Sequence, residues 1–310
     1  MTADRPVLGI LLMLAFCLIA PLADAMAKIL GQRFPIMELV VVRFLFQFVV
    51  LAPVALWIGD PMRLSRRLLF LIFLRTLLHI SGITMMFSAL LYLPLAEAVA
   101  IAFVMPFIML VLGWAVLGEE VGIRRILACI VGFIGTLLVV QPTFADVGWP
   151  AILPLGVAVV FALFMLVTRL MAKDVGPVAM QAVSGGMALP LLFAAYAVAP
   201  GLPAFEIVAP VGVDWVLLLV LGILGSAAHL VMTWSLRFAP SATLAPMQYL
   251  EIPIATIVGF VVFGDFPNGL ALLGIGVTIA AGLYILARER AVSRQGQARE
   301  ATHPAPPAAE

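Results

Sequence analysis

The stretch Met247-Gln-Tyr-Leu-Glu-Ile-Pro253 lies in the middle of an apolar run that extends from about Ala242 to Phe263. A run of this length matches one bilayer crossing, since ~20 residues at a rise of ~1.5 Å span a hydrocarbon core of ~30 Å. A carboxylic acid halfway along such a helix costs on the order of 2.5–3.5 kcal/mol, so Glu251 is expected to face a cavity or a partner. Pro253 removes a backbone donor, which predicts a weakened helix at the same depth.

The rest of the chain has the composition of this stretch. Of its 310 residues, 65% are hydrophobic and 11% are charged, whereas soluble domains average about 45–50% and about 25%. We therefore predict a polytopic membrane protein with ten spanning helices. The ten hydrophobic runs are Val7–Leu30, Ile36–Ile58, Leu68–Leu91, Leu95–Leu117, Arg124–Gln141, Pro150–Met171, Val178–Ala199, Asp214–Leu236, Ala242–Phe263 and Gly269–Ala287. Residues 288–310 have no apolar period and are predicted to form a disordered cytoplasmic tail.

Several classes of protein are excluded by the same sequence. The net charge is +1 and no basic cluster suits a duplex, so no nucleic-acid partner is predicted. Cys17 and Cys129 both lie inside apolar runs, where neither a disulfide framework nor a metal site is expected. The chain has no His-Glu-x-x-His motif and no Gly-x-x-x-x-Gly-Lys-Ser/Thr loop. We therefore predict neither an enzyme nor an ATP-driven pump, and no cofactor.

The positive residues predict the orientation of the chain. If the N-terminus is cytoplasmic, the outer ends of the helices hold only Lys28 and Arg33, and Arg43 and Arg75 lie within helices. The inner side then holds Arg5, Arg63, Arg66, Arg67, Arg124, Arg125, Arg169, Lys173, Arg237, Arg288, Arg290, Arg294 and Arg299. Cytoplasmic connections carry an excess of Lys and Arg. Both termini are therefore predicted to be cytoplasmic, in the inner membrane of a bacterium.

The fourth and ninth runs end in the same way. The fourth contains Pro106 and is followed by a Gly-acid pair completed by Glu119, and the ninth contains Pro253 and a Gly-acid pair completed by Asp265. A Gly-rich apolar run follows each of them. The repeat is therefore five helices long, and an odd number of crossings places the second copy upside down. We predict an all-α integral membrane protein built as two inverted five-helix repeats around a central cavity, the architecture of secondary transporters.

Taken together, these motifs resemble the EamA-type branch of the drug/metabolite transporter superfamily. The residues that carry the resemblance are Asp24…Lys28, Arg43, Tyr92-Leu-Pro-Leu-Ala-Glu97-Ala, Gly118-Glu119 and Tyr249-Leu-Glu-Ile-Pro253…Phe263-Gly-Asp265…Gly282-Leu-Tyr. The resemblance covers nearly all of residues 5–290. It implies EamA-like repeats over 1–144 and 145–287, and a carrier coupled to protons or working as an exchanger. The proline-to-acid spacing differs by one residue between the copies, so residue-by-residue pairing of the repeats stays open.

Polar residues inside the runs are the candidates for substrate binding. Gln248 and Glu251 share a helix face, and Tyr249 beside them offers a ring and a phenol to a flat substrate; the alternative is core packing with the hydroxyl bonded to a carbonyl. Arg43 and Gln47 share a face of the second helix. A guanidinium at that depth suits a carboxylate or a polyol, or else an ion pair within the protein.

A second set of residues is predicted to couple protons or to gate. Besides Glu251, it contains Asp24 and Lys28, which share a face of the first helix and form either a gating pair or a static bridge. His79 either titrates or is hydrogen-bonded to a neighbour, and the same alternatives apply to His229. Glu97 begins the fourth helix, where the helix dipole alone also favours an acid.

Four further residues receive predictions of their own. Arg75 either faces the site or extends its side chain to the cytoplasmic surface. Glu119, Glu120 and Asp265 follow helix ends. They are either gating residues or solvated turn residues, and the solvated turn is the expectation.

The predicted function is secondary transport of a small polar organic metabolite by alternating access. Among substrates, the resemblance favours riboflavin uptake, with S-adenosylmethionine and amino-acid carriers or exporters as alternatives. A membrane receptor or sensor is the alternative class. The predicted partners are the substrate, membrane lipid and protons, in a monomer or a homodimer. Uptake or export, and the coupling ion, stay open.

Overall fold

A computed structural model of the chain describes residues 5–60, 64–119, 121–140, 148–199, 201–264, 269–270, 272–281, 283–284 and 287. Every regular element in these ranges is a helix. The α-helices are α1 Pro6–Leu30, α2 Ile36–Trp57, α3 Arg66–Leu90, α4 Leu95–Ala102, α5 Met105–Leu117, α6 Ile123–Val140, α7 Ile152–Met171, α8 Pro177–Val198, α9 Asp214–Phe238, α10 Ser241–Gln248, α11 Glu251–Phe263 and α12 Leu272–Ala281. Two short 3-10 turns, Trp149–Ala151 and Pro203–Phe205, precede α7 and follow α8.

Eight of the predicted runs are long and apolar enough to cross a membrane. They are Pro6–Leu30, Ile36–Trp57, Arg66–Leu90, Leu95–Leu117, Ile152–Met171, Pro177–Val198, Asp214–Phe238 and Ser241–Phe263. Shorter apolar helices, Ile126–Gly135 within α6 and Leu272–Ala281, fall in the fifth and tenth runs. The all-helical membrane fold is thereby confirmed, while the count of ten crossings stays a prediction. The predicted tail, Glu120 and Asp265 lie outside the described residues.

Local sequence explains where the helices begin and end. The hydroxyl of Ser65 caps α3 by accepting a hydrogen bond from the Leu68 amide at 3.3 Å, as N-cap serines do. At the other end of a helix, Gly118 terminates α5 with φ of 63° and Gly264 terminates α11 with φ of 78°. A left-handed residue at this position is nearly always glycine, because a side chain would be strained there. The glycine of each Gly-acid pair thus ends a helix.

The fourth and ninth spans are each broken into two helices. The ninth is interrupted at Tyr249 and Leu250, before Glu251 and not at Pro253 as predicted. A proline ring clashes with the carbonyl four residues earlier, which for Pro253 is that of Tyr249. Pro253 itself lies in the first turn of α11, where backbone amides have no partner within the helix. The weakened helix is therefore confirmed, and its predicted position is wrong by one turn.

The largest helix contacts join the two halves of the chain. The long helix α1 packs along α9, α2 packs along α8, and α3 packs along α7. Small residues allow the close approach of α1 and α9: a Cβ on Gly9 would collide with the Cβ of Ala239, and the Ser235 hydroxyl donates to the Gly9 carbonyl at 2.9 Å. Such close backbone packing is typical of membrane helices. The two halves therefore meet along a continuous interface.

Candidate functional site

A cavity lies between the two halves. Its empty space amounts to about 620 Å³, which includes the part that is open to solvent. It begins at the level of the two helix breaks and extends toward the end of the bundle where α1 ends. Its lining consists of Phe16, Ala20, Asp24, Arg43, Gly82, Ile83, Met86, Phe87, Val99, Ala102, Phe103, Met105, Val157, Phe161, His229 and Glu251. Most of these side chains are apolar or aromatic and four carry ionisable groups, which is the usual make-up of a small-molecule site.

Two of the ionisable groups are the acids predicted from the sequence. Glu251 begins α11 directly after the helix break and is 7% exposed. Asp24, on α1, is half-buried and lines the same cavity. Within the part of the chain that the structure describes, neither carboxylate has a hydrogen-bond partner. The acids therefore present their oxygen atoms to the cavity and not to the protein.

The other two ionisable groups are basic and bonded to each other. Nη2 of Arg43 lies 2.6 Å from Nδ1 of His229 and 3.2 Å from the carbonyl oxygen of Gly225. Nδ1 of His229 also lies 3.2 Å from the Gly225 carbonyl oxygen, to which it could only donate. Since a guanidinium only donates and its contact with Nδ1 is the shorter one, we assign Nδ1 as the acceptor and the imidazole proton to Nε2. Both Nε2 of His229 and Nε of Arg43 are buried without a hydrogen-bond partner among the described residues. The pair therefore offers two unused donors.

Behind this pair, His79 lies in a stack of rings. Its ring centroid is 4.3 Å from that of His229 and 4.6 Å from that of Phe164. The side chain of His79 is fully buried, and neither of its nitrogens has a partner in the described ranges. His79 thus touches the site through His229 and does not line the cavity. Its role in proton coupling stays a prediction.

Arg75 is fully buried rather than extended to the membrane surface. Its guanidinium donates to the hydroxyl of Thr168 at 2.9 Å and to that of Thr233 at 3.4 Å, and its Cζ lies 4.4 Å from the Phe164 ring centroid. Neutral hydroxyls and an aromatic face thus hold this cation. The predicted alternative of a side chain reaching the surface is wrong, because these partners on α7 and α9 retain the guanidinium inside the bundle.

The three other predicted substrate-binding residues are buried outside the cavity lining. The Gln47 amide donates to the Gln181 carbonyl at 2.8 Å, and the Gln248 amide lies 3.6 Å from the sulfur of Met165. The Tyr249 hydroxyl donates to the backbone carbonyl of Phe103 at 3.2 Å, across the two helix breaks. Tyr249 therefore connects the two broken spans in this conformation. Substrate contacts of these three residues stay predictions.

Lys28 and Glu97 lie at the end of the bundle where α1 ends. The Lys28 ammonium donates to the Leu93 carbonyl at 2.6 Å and lies 5.1 Å from the ring centroid of Phe263. Glu97, in the first turn of α4, is half-buried. Lys28 thus connects α1 to the segment before α4 and to the end of α11. The predicted gating role of both residues is compatible with this position and stays a prediction.

The opposite end of the bundle is closed by Glu119. Its carboxylate accepts from the Ser241 amide at 3.1 Å, from the Ser241 hydroxyl at 2.6 Å and from the Ala242 amide at 3.0 Å. It also pairs with Nε of Arg169 at 3.3 Å, and Arg169 donates in turn to the Leu236 carbonyl at 2.5 Å. The expected solvated turn is wrong, because the amides that begin α10 and Arg169 bind this carboxylate. The alternative, a gating role for Glu119, stays a prediction.

Sequence reasoning favoured a solvated turn over a gating role for Glu119, and the reason is identifiable. A single Gly-acid pair at a helix end resembles any surface turn. The relevant signal was the start of α10, where Pro240 precedes Ser241 and the amides of the first turn need acceptors. A carboxylate is favoured at such a helix start by the helix dipole. The partner nonetheless comes from 122 residues earlier in the chain, a distance over which no local pattern is informative.

The donor set of the cavity suits an organic substrate. No group of three or more His, Cys, Asp or Glu side chains that could hold a metal ion occurs among the described residues. The cavity offers two carboxylates, a guanidinium, an imidazole and several aromatic rings. Such groups bind a small polar molecule by hydrogen bonds, charge and ring contacts.

Comparison with known proteins agrees with this picture. The model of the EamA-like transporter family matches residues 7–141 and again 148–287. The chain is 29% identical to the S-adenosylmethionine uptake transporter of Rickettsia prowazekii over 86% of its length and 88% of the relative's. It is 27% identical to a riboflavin transporter of Rhizobium johnstonii, over 69% of each chain. It is also 25% identical to a riboflavin transporter of Vibrio cholerae over 94% and 97% of the two chains.

A solved crystal structure shares the fold. It superposes with a TM-score of 0.69 over 89% of this chain and 95% of its own, at 18% identity. At that identity the similarity concerns the fold alone. The two family matches together extend over most of the sequence, and the eight apolar helices make the protein a multi-pass membrane protein. The chain belongs to the EamA-like transporter family.

Proposed function

We propose that the protein is a secondary transporter that moves a small polar organic metabolite across the bacterial inner membrane by alternating access. The observation that carries the proposal is the cavity between the halves and its two carboxylates without hydrogen-bond partners among the described residues. Glu251 lies directly at a helix break, and Asp24 lines the same cavity from α1. Unpaired acids are expensive at this depth and are kept mainly where they line a pathway. Broken helices place such groups at the middle of transporters.

The packing of the helices supports the inverted repeat on which the mechanism depends. If the first five spans correspond to the second five in order, the contact of α1 with α9 has its counterpart in that of α7 with α3. The contact of α2 with α8 is its own counterpart. All three are the major contacts between the halves. This reciprocal pattern is what a two-fold relation produces, and it supports repeats over 1–144 and 145–287, as do the family matches.

The contacts at the two ends support an outward-facing state. The distribution of Lys and Arg predicts that both termini and the Glu119 end of the bundle face the cytoplasm. That end is closed by the Glu119 carboxylate, which joins the first half to Ser241 and Arg169 of the second. The cavity lies on the other side of the helix breaks. Alternating access would then consist of opening the Glu119 contact while the outer end closes.

We further propose that Glu251 carries the coupling proton. An ionised carboxylate is costly to bury without a partner, so exchange of a proton on Glu251 would change how the halves pack around it. The test is flux through Glu251→Gln in proteoliposomes, measured at several external pH values. The expected result is loss of pH-driven flux with retained exchange, because the amide cannot titrate. Unchanged, pH-dependent flux in this variant would reject the role.

The names of the relatives define the first substrates to test. Riboflavin and S-adenosylmethionine are the substrates named for them. Counterflow of labelled substrate into preloaded vesicles separates a carrier from a receptor or sensor, because only a carrier exchanges substrate across the bilayer. Accumulation of label against preloaded substrate supports transport. Saturable binding without any counterflow would support the receptor instead.

A further inference from the structure

The ionisable groups of the cavity fall into two poles of opposite character. The acid pole consists of Asp24 on α1 and Glu251 on α11, which line the same cavity. The donor pole consists of Arg43 on α2 and His229 on α9. Among the described residues, no hydrogen bond or salt bridge joins the two poles. The cavity therefore presents separated charges to whatever enters it.

The unused hydrogen-bonding capacity of each pole defines the ligand that would satisfy it. The acid pole has four carboxylate oxygens and no protein donor among the described residues. The donor pole has two buried unused N–H groups, on Nε of Arg43 and on Nε2 of His229. Buried polar groups without partners are costly, at about 1–3 kcal/mol each. A ligand that brings a cationic donor to one pole and an anionic acceptor to the other would remove the cost at both.

We propose that the substrate is a zwitterion with an α-amino-acid type of head group, a conclusion that rests on the proposed transport function. Its ammonium binds between Asp24 and Glu251, and its carboxylate binds Arg43 and His229. The side chain of the substrate then lies against the aromatic wall of Phe16, Phe103 and Phe161. Such a wall accepts an apolar, aromatic or sulfonium-bearing group, since ring faces attract cations.

Other charge classes fit the cavity less well. An anion without a cationic group would bring no donor to the two carboxylates. A cation without an anionic group would leave the donors of Arg43 and His229 unused. An uncharged flavin would satisfy neither pole by charge. Of the two substrates named for the relatives, the structure thus assigns the amino-acid type, S-adenosylmethionine, and not riboflavin.

The test is counterflow and thermal shift with the full-length protein against a panel of probes. The panel contains S-adenosylmethionine, the common amino acids and riboflavin, together with decarboxylated S-adenosylmethionine and methylthioadenosine. Decarboxylated S-adenosylmethionine lacks only the carboxylate, and methylthioadenosine lacks the whole amino-acid group. At least one zwitterion is expected to drive counterflow and raise the melting temperature. Its analogue without a carboxylate is expected to bind at least about tenfold more weakly, the loss of one charge-assisted contact.

Variants locate the recognition. Arg43→Gln is expected to weaken binding of the zwitterion while leaving binding of the decarboxylated analogue unchanged. The matched control is Arg33→Gln, because Arg33 is an exposed arginine that pairs with Asp214 outside the cavity. This variant is expected to bind the zwitterion as the wild type does. If Arg43→Gln does not fold, the proposal is tested with the wild-type protein, by comparing its binding of the zwitterion with its binding of the analogue that lacks the carboxylate. Counterflow of riboflavin without any zwitterion would overturn this proposal and leave transport intact, whereas no counterflow with any probe would overturn both.

Discussion

At the scale of the residue, the position of the Arg43 guanidinium depends on a glycine. A Cβ built on Gly225 would lie 3.1 Å from Nε of Arg43 and would collide with its Nη1 and Cζ. The carbonyl of the same glycine accepts from Nη2 at 3.2 Å. The missing side chain therefore leaves the space that the guanidinium occupies.

Gly225→Ala is accordingly expected to displace Arg43 and to weaken substrate binding. Inserting a methyl into a packed site costs about 1–3 kcal/mol, and about 1.4 kcal/mol of it expressed in binding is a tenfold loss of affinity. Gly222→Ala is the matched control, because its Cβ would meet the ring of Phe46 instead. Both variants are expected to melt at lower temperature. If both also bind substrate equally well in a thermal-shift titration, Arg43 is not a binding residue.

Sequence reasoning at this scale singled out charges inside spans, because burying a charge is costly. Asp24, Arg43 and Glu251, found in this way, line the cavity. Lys28 and Arg75, found in the same way, do not line it, and the roles of all five residues stay predictions. The same reasoning could not rank His229 above His79, since two mid-helix histidines are equivalent until their neighbours are known. Tyr249 shows what the sequence pattern could not predict. A phenol beside an acid indicates a site, but only the structure places its hydroxyl on the Phe103 carbonyl.

At the scale of the element, the start of α10 works as one half of a closure. Its first two backbone amides, those of Ser241 and Ala242, point at the Glu119 carboxylate. Amides at a helix start have no partner within the helix, and the helix dipole strengthens their attraction for an anion. Because the side chain of Glu119 is only 10% exposed, water competes little for these bonds.

Removing this carboxylate is expected to favour the inward-open state. Hydrogen bonds to a charged group contribute about 1.5–3 kcal/mol each, so Glu119→Ala should shift the equilibrium by tenfold or more, and Glu119→Gln, which keeps an acceptor, by less. The reporter is a cysteine replacing Thr243, which is buried in α10 just inside the contact. Its labelling by a thiol reagent from the cytoplasmic side should rise in the order wild type, Gln, Ala. Equal labelling in all three proteins would show that Glu119 does not keep this end of the bundle closed.

The helix breaks show how far pattern reasoning reaches at this scale. The predicted hydrophobic runs agree with the eight long apolar helices to within a few residues, because a membrane span needs about 20 apolar residues regardless of its neighbours. A proline inside a run indicated the break, and its steric effect on the preceding turn explains where the break lies. The direction of each half-helix depends on packing between the two halves. Tertiary contacts of that kind leave no local signal in the sequence.

At the scale of the whole molecule, the two halves meet along reciprocal helix contacts and are joined at one end by Glu119. The inverted repeat is a prediction from the two Gly-acid pairs, since five crossings per copy force the inversion, and the reciprocal contacts support it. Which state the molecule adopts was not predictable. An inverted repeat has two related arrangements of similar packing, and a few kcal/mol decide between them. In this structure the bonds of Glu119 contribute to that difference.

A reversible cross-link between the halves tests alternating access directly. Cysteines replacing Glu119 and Ser241, whose side-chain oxygens lie 2.6 Å apart, can be joined by a bifunctional methanethiosulfonate in a background with Cys17 and Cys129 replaced by serine. Cross-linking is expected to abolish counterflow while external substrate still raises the melting temperature, because the outer cavity stays open. Reduction should restore flux. Each single-cysteine variant, treated in the same way, controls for modification alone. Flux that continues through the cross-linked protein would mean that this end need not open, and the substrate would then have to cross by a route other than the interface of the halves.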